Sequence, residues 1–168
     1  VDIRLAFPSE VNQIMEIIGD ARRHIAGYGS DQWQGAYPDR EIIVEDILQG
    51  YGQVAVVDGR VAAYVAMMGH EPAYDCLLTG SWRQPDKTDY LTFHRIAVAE
   101  TFRGQGVILA LLEGLMEVRQ TRTFRADTHP ANKAMQHIFT KLGFQQVGIA
   151  QLPDGERLAY EKVASEKG

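Results

Sequence analysis

The residues best placed to do chemistry in this chain are Arg103-Gly104-Gln105-Gly106-Val107-Ile108. The apolar run Phe93-His94-Arg95-Ile96-Ala97-Val98 precedes them, and Leu109-Ala110-Leu111-Leu112 follows. A basic side chain and two glycines between a strand and a helix make an anion cradle. Backbone N–H groups at a helix start lack helical acceptors, and the aligned peptide dipoles favour negative charge there. Glycine lets the backbone approach such an anion without a side chain in the way. Residues 93 to 112 are therefore predicted to bind a phosphorylated ligand. A Walker loop is excluded, because no Gly-Lys-Ser/Thr stands at the required spacing. A dinucleotide fingerprint is excluded, because Leu109 occupies the position of its third glycine.

The elements around this loop read as an α/β domain. Val1–Phe7 alternates as a strand. Pro8-Ser9-Glu10 opens a helix with Val11, Ile14, Met15, Ile17 and Ile18 at helical spacing, stopped by Gly27-Tyr28-Gly29-Ser30. A loop, 31–38, carries Trp33 and Tyr37. A second helix follows Asp39, with Ile42, Ile43, Ile47 and Leu48 inside and its acids outside. Strands over 53–57 and 60–68 are joined by Asp58-Gly59, a two-residue hairpin signal. Residues 70–89 are irregular and hold Tyr74, Cys76 and Trp82. A strand over 90–98 leads to the glycine loop, and a helix over 104–119 is apolar on more than one side. A short strand over 123–127 follows. A helix from Pro130 or Asn132 then carries Ala134, Met135, Ile138, Phe139 and Leu142 on one face. Strands over 146–152 and 157–163 flank Pro153-Asp154-Gly155. This order predicts one domain, 1–168, with a mixed, mostly antiparallel sheet of about seven strands and about four helices, and not a doubly wound sheet.

Composition bounds the function. The chain has 168 residues, 45% hydrophobic and 23% charged, with net charge −5. No Lys/Arg block tracks phosphates, so nucleic acid is not an expected partner. No apolar run approaches the ~20 residues of a membrane span, and no signal peptide is visible at the N-terminus. These features predict a cytoplasmic protein without membrane attachment. Cys76 has no partner cysteine for an internal disulfide and reads as a buried, inert thiol. His24, His70 and His137 show no ligand spacing, and no metal site is predicted.

The loop fits the pattern Arg/Gln-x-x-Gly-x-Gly/Ala, and RIAVAETFRGQGVILALL with ANKAMQHIFTKLGF resembles the GNAT superfamily of N-acetyltransferases. The motifs cover about 93–144, and the element order matches over nearly the whole chain. The resemblance implies acetyl-CoA as co-substrate, with its pyrophosphate on Arg103, Gly104, Gln105, Gly106, Val107 and Ile108. It implies pairing of the pantetheine arm with backbone groups of Ile96, Ala97 and Val98. The Val98 N–H would face the thioester carbonyl, a contact that strengthens as that carbonyl turns tetrahedral. Asn132 matches an asparagine that contacts the cofactor, and it also reads as a helix cap. Family members are often homodimers.

The chain departs from the family pattern twice. Ile108 stands where Gly or Ala is usual, which predicts crowding at the phosphates and weaker cofactor binding. Phe139 stands where many members have a tyrosine that hydrogen-bonds the departing thiolate. A thiol of pKa ~8.5 leaves as thiolate at neutral pH for roughly 2 kcal/mol, so the reaction survives this loss. For the amine's proton, His94 is the candidate base. It lies four residues before Val98, and period-two alternation puts 94, 96 and 98 on one face. Imidazole, with an ordinary pKa of about 6.5, suits that work, and the resemblance to the arylalkylamine branch places a histidine here. Glu71 and Asp127 are competitors through a water chain. His129 reads as a residue of the following helix start. Trp33, Tyr37, Tyr74 and Trp82 are read as lining a site for an apolar or cationic amine. The expected function is N-acetyl transfer to a primary amine of a small molecule or peptide. The alternative is a non-catalytic acyl-CoA-binding module.

Overall fold

Val11, Ile14, Ile17, Ile18, Ala21 and Ile25 recur at helical spacing and form the buried face of α1 (Val11–Gly27). The structure, a computed structural model, describes residues 1–27, 33 and 37–164. The predicted helix stop at Tyr28-Gly29-Ser30 lies outside them. Helix α2 (Arg40–Leu48) starts where predicted: an Asp39 carboxylate oxygen accepts the Ile42 N–H at 3.0 Å. Helices α3 (Val107–Glu117) and α4 (Lys133–Lys141) follow. The strands are β1 (Asp2–Leu5), β2 (Gly52–Val57), β3 (Arg60–Met68), β4 (Thr79–Gly80), β5 (Leu91–Val98), β6 (Thr123–Thr128), β7 (Gln145–Leu152) and β8 (Gly155–Val163). They are hydrogen-bonded in the order β1-β2-β3-β5-β6-β8-β7-β4. The β5–β6 pair is parallel, and β1–β2, β2–β3, β4–β7, β6–β8 and β7–β8 are antiparallel. This is the mixed, mostly antiparallel sheet with four helices that the sequence predicts.

The β2–β3 turn is legible in its chemistry. Asp58 and Gly59 have φ of 51° and 75°, the left-handed pair that a two-residue hairpin demands. Strand β4 corrects the reading of 70–89 as wholly irregular and brings the strands described to eight. It is only two residues long, too short for alternation to show, and it depends on close backbone approach. A Cβ on Gly80 would stand 2.0 Å from the Val147 carbonyl oxygen, and one on Gly148 would stand 2.0 Å from that of Thr79.

Other expectations change with packing. Leu48 is 69% exposed, because it lies at the last position of α2 beyond its buried face. Asp46 is buried at 3%, not outside, because it has cationic and phenolic partners. Ala134 in the first turn of α4 is exposed. Cys76 is exposed, in the turn after a short 3-10 helix (Pro72–Tyr74), so the buried-thiol reading fails.

The chain forms two compact units. The first, Val1–Met67 with His94–Val118, has a core of Ile14, Ile18, Ile43, Val54, Tyr64 and Ala97 among others. The second, Met68–Phe93 with Arg119–Gly168, has a cluster of Tyr74, Tyr90, Ala150 and Ala159, against which Leu77 and Trp82 pack. Strand β5 begins in the second unit and ends in the first.

Candidate active site

In the first unit, the end of β5 runs into the glycine loop through one turn of 3-10 helix, Glu100–Phe102. Asp20 of α1 fixes that turn, its Oδ2 accepting the Glu100 N–H at 2.9 Å. The chain is extended at Arg103 and left-handed at Gly104 and Gly106, with φ of 81° and 75°. A Cβ at either glycine would meet nothing within 4 Å. The glycines are therefore required by backbone conformation, and the space beside them is open. Gly106 caps α3 without a side chain, so the first-turn N–H groups receive no side-chain cap from it. They lie at the positive end of the helix dipole. Arg103 adds a guanidinium whose Nε is buried and makes no hydrogen bond, with Nη2 3.5 Å from Glu100 Oε1. Burial, then the Arg103 charge, hold the His24 imidazole below its ordinary pKa, against the opposing pull of Glu100. The helix-start N–H groups and the Arg103 charge are donors suited to an anion such as a diphosphate.

Ile108 is corrected by the structure. Its side chain is 8% exposed and lies on the buried face of α3 with Val107, Leu111, Leu112 and Leu115. It packs into protein and does not crowd the loop.

The Ala99 N–H donates to the Ala62 carbonyl of β3 at 2.8 Å. Successive N–H groups of a strand point to opposite sides, so the Val98 N–H points away from β3. On that side the ladder with β6 covers Leu91↔Phe124 and Thr92↔Arg125 among the described residues. Ile96, Ala97 and Val98 lie beyond the two register pairs described between β5 and β6.

Arg95 interrupts the alternation assumed for His94. Its φ is 56°, a left-handed residue inside the strand. Parity therefore does not carry from His94 to Val98, and His94, half-buried, is not placed on the Val98 face by alternation. The sequence reading also missed what Arg95 does. Its guanidinium donates to both Asp46 carboxylate oxygens, at 2.9 and 2.6 Å, and to the Tyr37 hydroxyl at 3.1 Å. Asp46 Oδ2 also accepts the Tyr64 hydroxyl at 2.7 Å. Burial, then the Asp46 bond, push the Tyr64 hydroxyl far above its ordinary range. Burial opposes the Arg95 charge, but the bonds to Asp46 and Tyr37 outweigh it, and the guanidinium stays charged. Arg22 of α1 donates to the Trp33, Tyr37 and Pro38 carbonyls at 3.0, 3.0 and 3.2 Å.

In the second unit, Asn132 is a buried helix cap whose Oδ1 accepts the Met135 N–H at 3.0 Å. Phe139 is 0% exposed, its ring 5.3 Å from Phe144 and 5.1 Å from Tyr160. It is a core aromatic and offers no open surface to a cofactor. His129 Nδ1 accepts the Ala131 N–H at 2.9 Å, as a residue that shapes the start of α4. Tyr74 is fully buried, its hydroxyl donating to Asp127 Oδ2 at 2.5 Å. Burial pushes the Asp127 carboxyl up to about 6, against the lowering effect of that bond and of Arg157. Trp82 Nε1 donates to the Tyr74 carbonyl at 2.7 Å. The predicted aromatic lining thus divides: Trp33 and Tyr37 belong to the first unit, Tyr74 and Trp82 to the second. Trp33 and Tyr74 are buried, and Tyr37 is 43% exposed. Among the described residues, no three His, Cys, Asp or Glu side chains are grouped to hold a metal ion. Nor is any helix long and apolar enough to cross a membrane.

The Acetyltransferase (GNAT) family matches residues 13–144, which takes in β2 to β6 with α2, α3 and α4. The chain belongs to the GNAT family. A GNAT-family acetyltransferase of known structure from Streptococcus agalactiae 2603 is 49% identical, with TM-score 0.94 over 98% of this chain and 96% of that one. The chain is also 27% identical over 126 residues to "Uncharacterized N-acetyltransferase YesJ" of Bacillus subtilis (strain 168), covering 71% of this chain and 68% of the relative. The ribosomal-protein-S18-alanine N-acetyltransferase of Escherichia coli shares the fold, with TM-score 0.69 at 18% identity over 99% of this chain and 96% of that one. As a GNAT member the chain is an acetyltransferase, in a family that generally uses acetyl-CoA.

Proposed function

We propose that this chain transfers the acetyl group of acetyl-CoA to a primary amine of a small molecule or peptide, by direct attack in a ternary complex. One observation carries the reading: the end of β5 runs, past the residues described as paired with β6, into a left-handed glycine loop at a helix start. Backbone groups of Arg103 through Ile108 would hold the pyrophosphate, and those of Ile96–Val98 the pantetheine arm. Acetyl-CoA supplies a thioester whose acyl carbon is open to attack. The Val98 N–H donates to the acyl oxygen as negative charge builds there. His94 accepts the amine proton directly or through water. Phe139 has no hydroxyl to donate, so no acid acts from that position, and the low pKa of the thiol makes departure as thiolate cheap. Tyr37 keeps exposed surface for an apolar or cationic amine, with the buried Trp33 behind it in the chain. The reaction belongs in the cytoplasm and involves neither nucleic acid nor membrane; a homodimer fits the family habit.

A second reading gives the proton to Asp127 or Glu71 through a water chain. His94→Gln depresses turnover at neutral pH and shifts the pH–rate profile if His94 is the base. An unchanged profile that shifts instead in Asp127→Asn assigns the proton to Asp127. The function itself is tested by thiol release from acetyl-CoA against a panel of small amines and peptides. Release with at least one acceptor is expected. Tight CoA binding with no release for any acceptor would assign the chain to the non-catalytic binding modules.

A further inference from the structure

Arg95 has a left-handed backbone, φ 56°, inside strand β5. Glycine takes this conformation freely, whereas an arginine there is strained and persists only where its surroundings hold it. The holding groups are visible. The Arg95 guanidinium makes a two-pronged bond to Asp46, at 2.9 and 2.6 Å. The pair is buried, with side-chain exposures of 10% and 4%. Such fork geometry fixes the plane of the guanidinium as well as its distance. Asp46 is itself fixed: Oδ2 accepts the hydroxyl of the fully buried Tyr64 at 2.7 Å, and its carbonyl accepts the Tyr51 N–H at 2.8 Å. A chain of fixed groups therefore runs from α2 to the backbone of Arg95.

What that backbone does follows from strand geometry. One residue bulged out of a strand decides the parity of everything after it. With Arg95 left-handed, Ala97 lies in the core of the first unit, Ala99 donates to β3, and the Val98 N–H faces away from β3. Were Arg95 extended, these assignments would reverse by one residue.

We propose that the Asp46–Arg95 ion pair is a positioning device that locks the left-handed residue in β5 and so selects which backbone N–H groups of Ile96–Val98 face away from β3. Both residues act through the backbone, and neither touches the reacting atoms. What those N–H groups bind rests on the acetyl-CoA reading above; the control of strand parity does not.

The test compares Asp46→Asn/Arg95→Gly with Asp46→Asn/Arg95→Ala. Neither variant leaves an unpaired buried charge, and they differ by one methyl group. Amide exchange of Ala97 and Ala99 and acetyl-CoA affinity by calorimetry are both read. The glycine variant is expected to stay near wild type, and the alanine variant to lose about tenfold in Ala99 protection and in affinity, the disfavour of a left-handed alanine. Equal protection in the two variants, or better protection in the alanine variant, overturns the proposal. If the wild-type chain binds no acetyl-CoA, the functional reading fails while the exchange order still decides the clamp. If the alanine variant does not fold, Asp46→Asn alone replaces it. Glycine at 95 then restores Ala99 protection lost in the single variant, and no restoration overturns the clamp.

Discussion

Gly104 and Gly106 are left-handed beside open space, since a Cβ at either meets nothing within 4 Å. Gly106→Ala therefore carries a backbone cost without a clash, about 1 kcal/mol. A modest fall in Tm is expected, and calorimetry should show weaker acetyl-CoA binding, because the methyl group stands at the start of the helix proposed to hold the pyrophosphate. Ile108 behaves oppositely. Its side chain is in the core, so Ile108→Ala costs about 2–4 kcal/mol in chemical unfolding and does not tighten acetyl-CoA. A tightened complex would restore the crowding account. At this scale the sequence was legible where the backbone demands a residue type, as at Gly106 and Asp58-Gly59. It was illegible where two side chains meet. Asp46 looked like an exposed helix acid, and its partner Arg95 stands 49 residues away.

Elements were read best where apolar periodicity was long. Helix α1 shows it over several turns, and its buried face matches the spacing of its isoleucines. Strand β4 gave no such signal, because two residues cannot alternate. Its docking is testable: Gly148→Ala places a Cβ 2.0 Å from the Thr79 carbonyl oxygen, and faster amide exchange of Leu78, bonded to Ile149 at 2.8 Å, is expected. Unchanged exchange would mean the β4 approach is not tight. Helix α4 poses a different question, because Asn132 is its cap and also stands where the sequence resemblance expects a cofactor contact. Asn132→Ala removes the cap at a cost of about 1 kcal/mol. Asn132→Asp keeps an accepting oxygen, so a loss of acetyl-CoA affinity in that variant at unchanged Tm isolates the amide's contact with the cofactor. Equal affinity would leave Asn132 as a cap alone. The left-handed residue in β5 was hidden because an arginine within an apolar run gives no sequence sign of positive φ.

For the molecule as a whole, stability carries a pH signature from the second unit. Burial raises the Asp127 carboxyl to about 6, so the folded chain holds this proton more readily than the unfolded one. Its contribution to stability is full below the ordinary carboxylate range and is lost as pH rises through about 6. Asp127→Asn, neutral at every pH and still able to accept the Tyr74 hydroxyl, is expected to raise Tm at pH 7.5, by up to about 3 kcal/mol in stability. The gain should vanish near pH 4. A gain independent of pH would contradict the raised carboxyl. Family membership, carried by a match over residues 13–144, was legible because the strand, glycine loop and helix are contiguous in the chain. The acceptor was not, because the aromatics read as its lining are divided between buried and exposed positions of two units. The central claim is direct acetyl transfer, and the most direct measurement follows an isotope-labelled acetyl group by mass spectrometry. The account predicts the label on the acceptor amine, with one equivalent of free CoA thiol and none on the protein. Label retained on CoA across the acceptor panel, or fixed to Cys76, would contradict it.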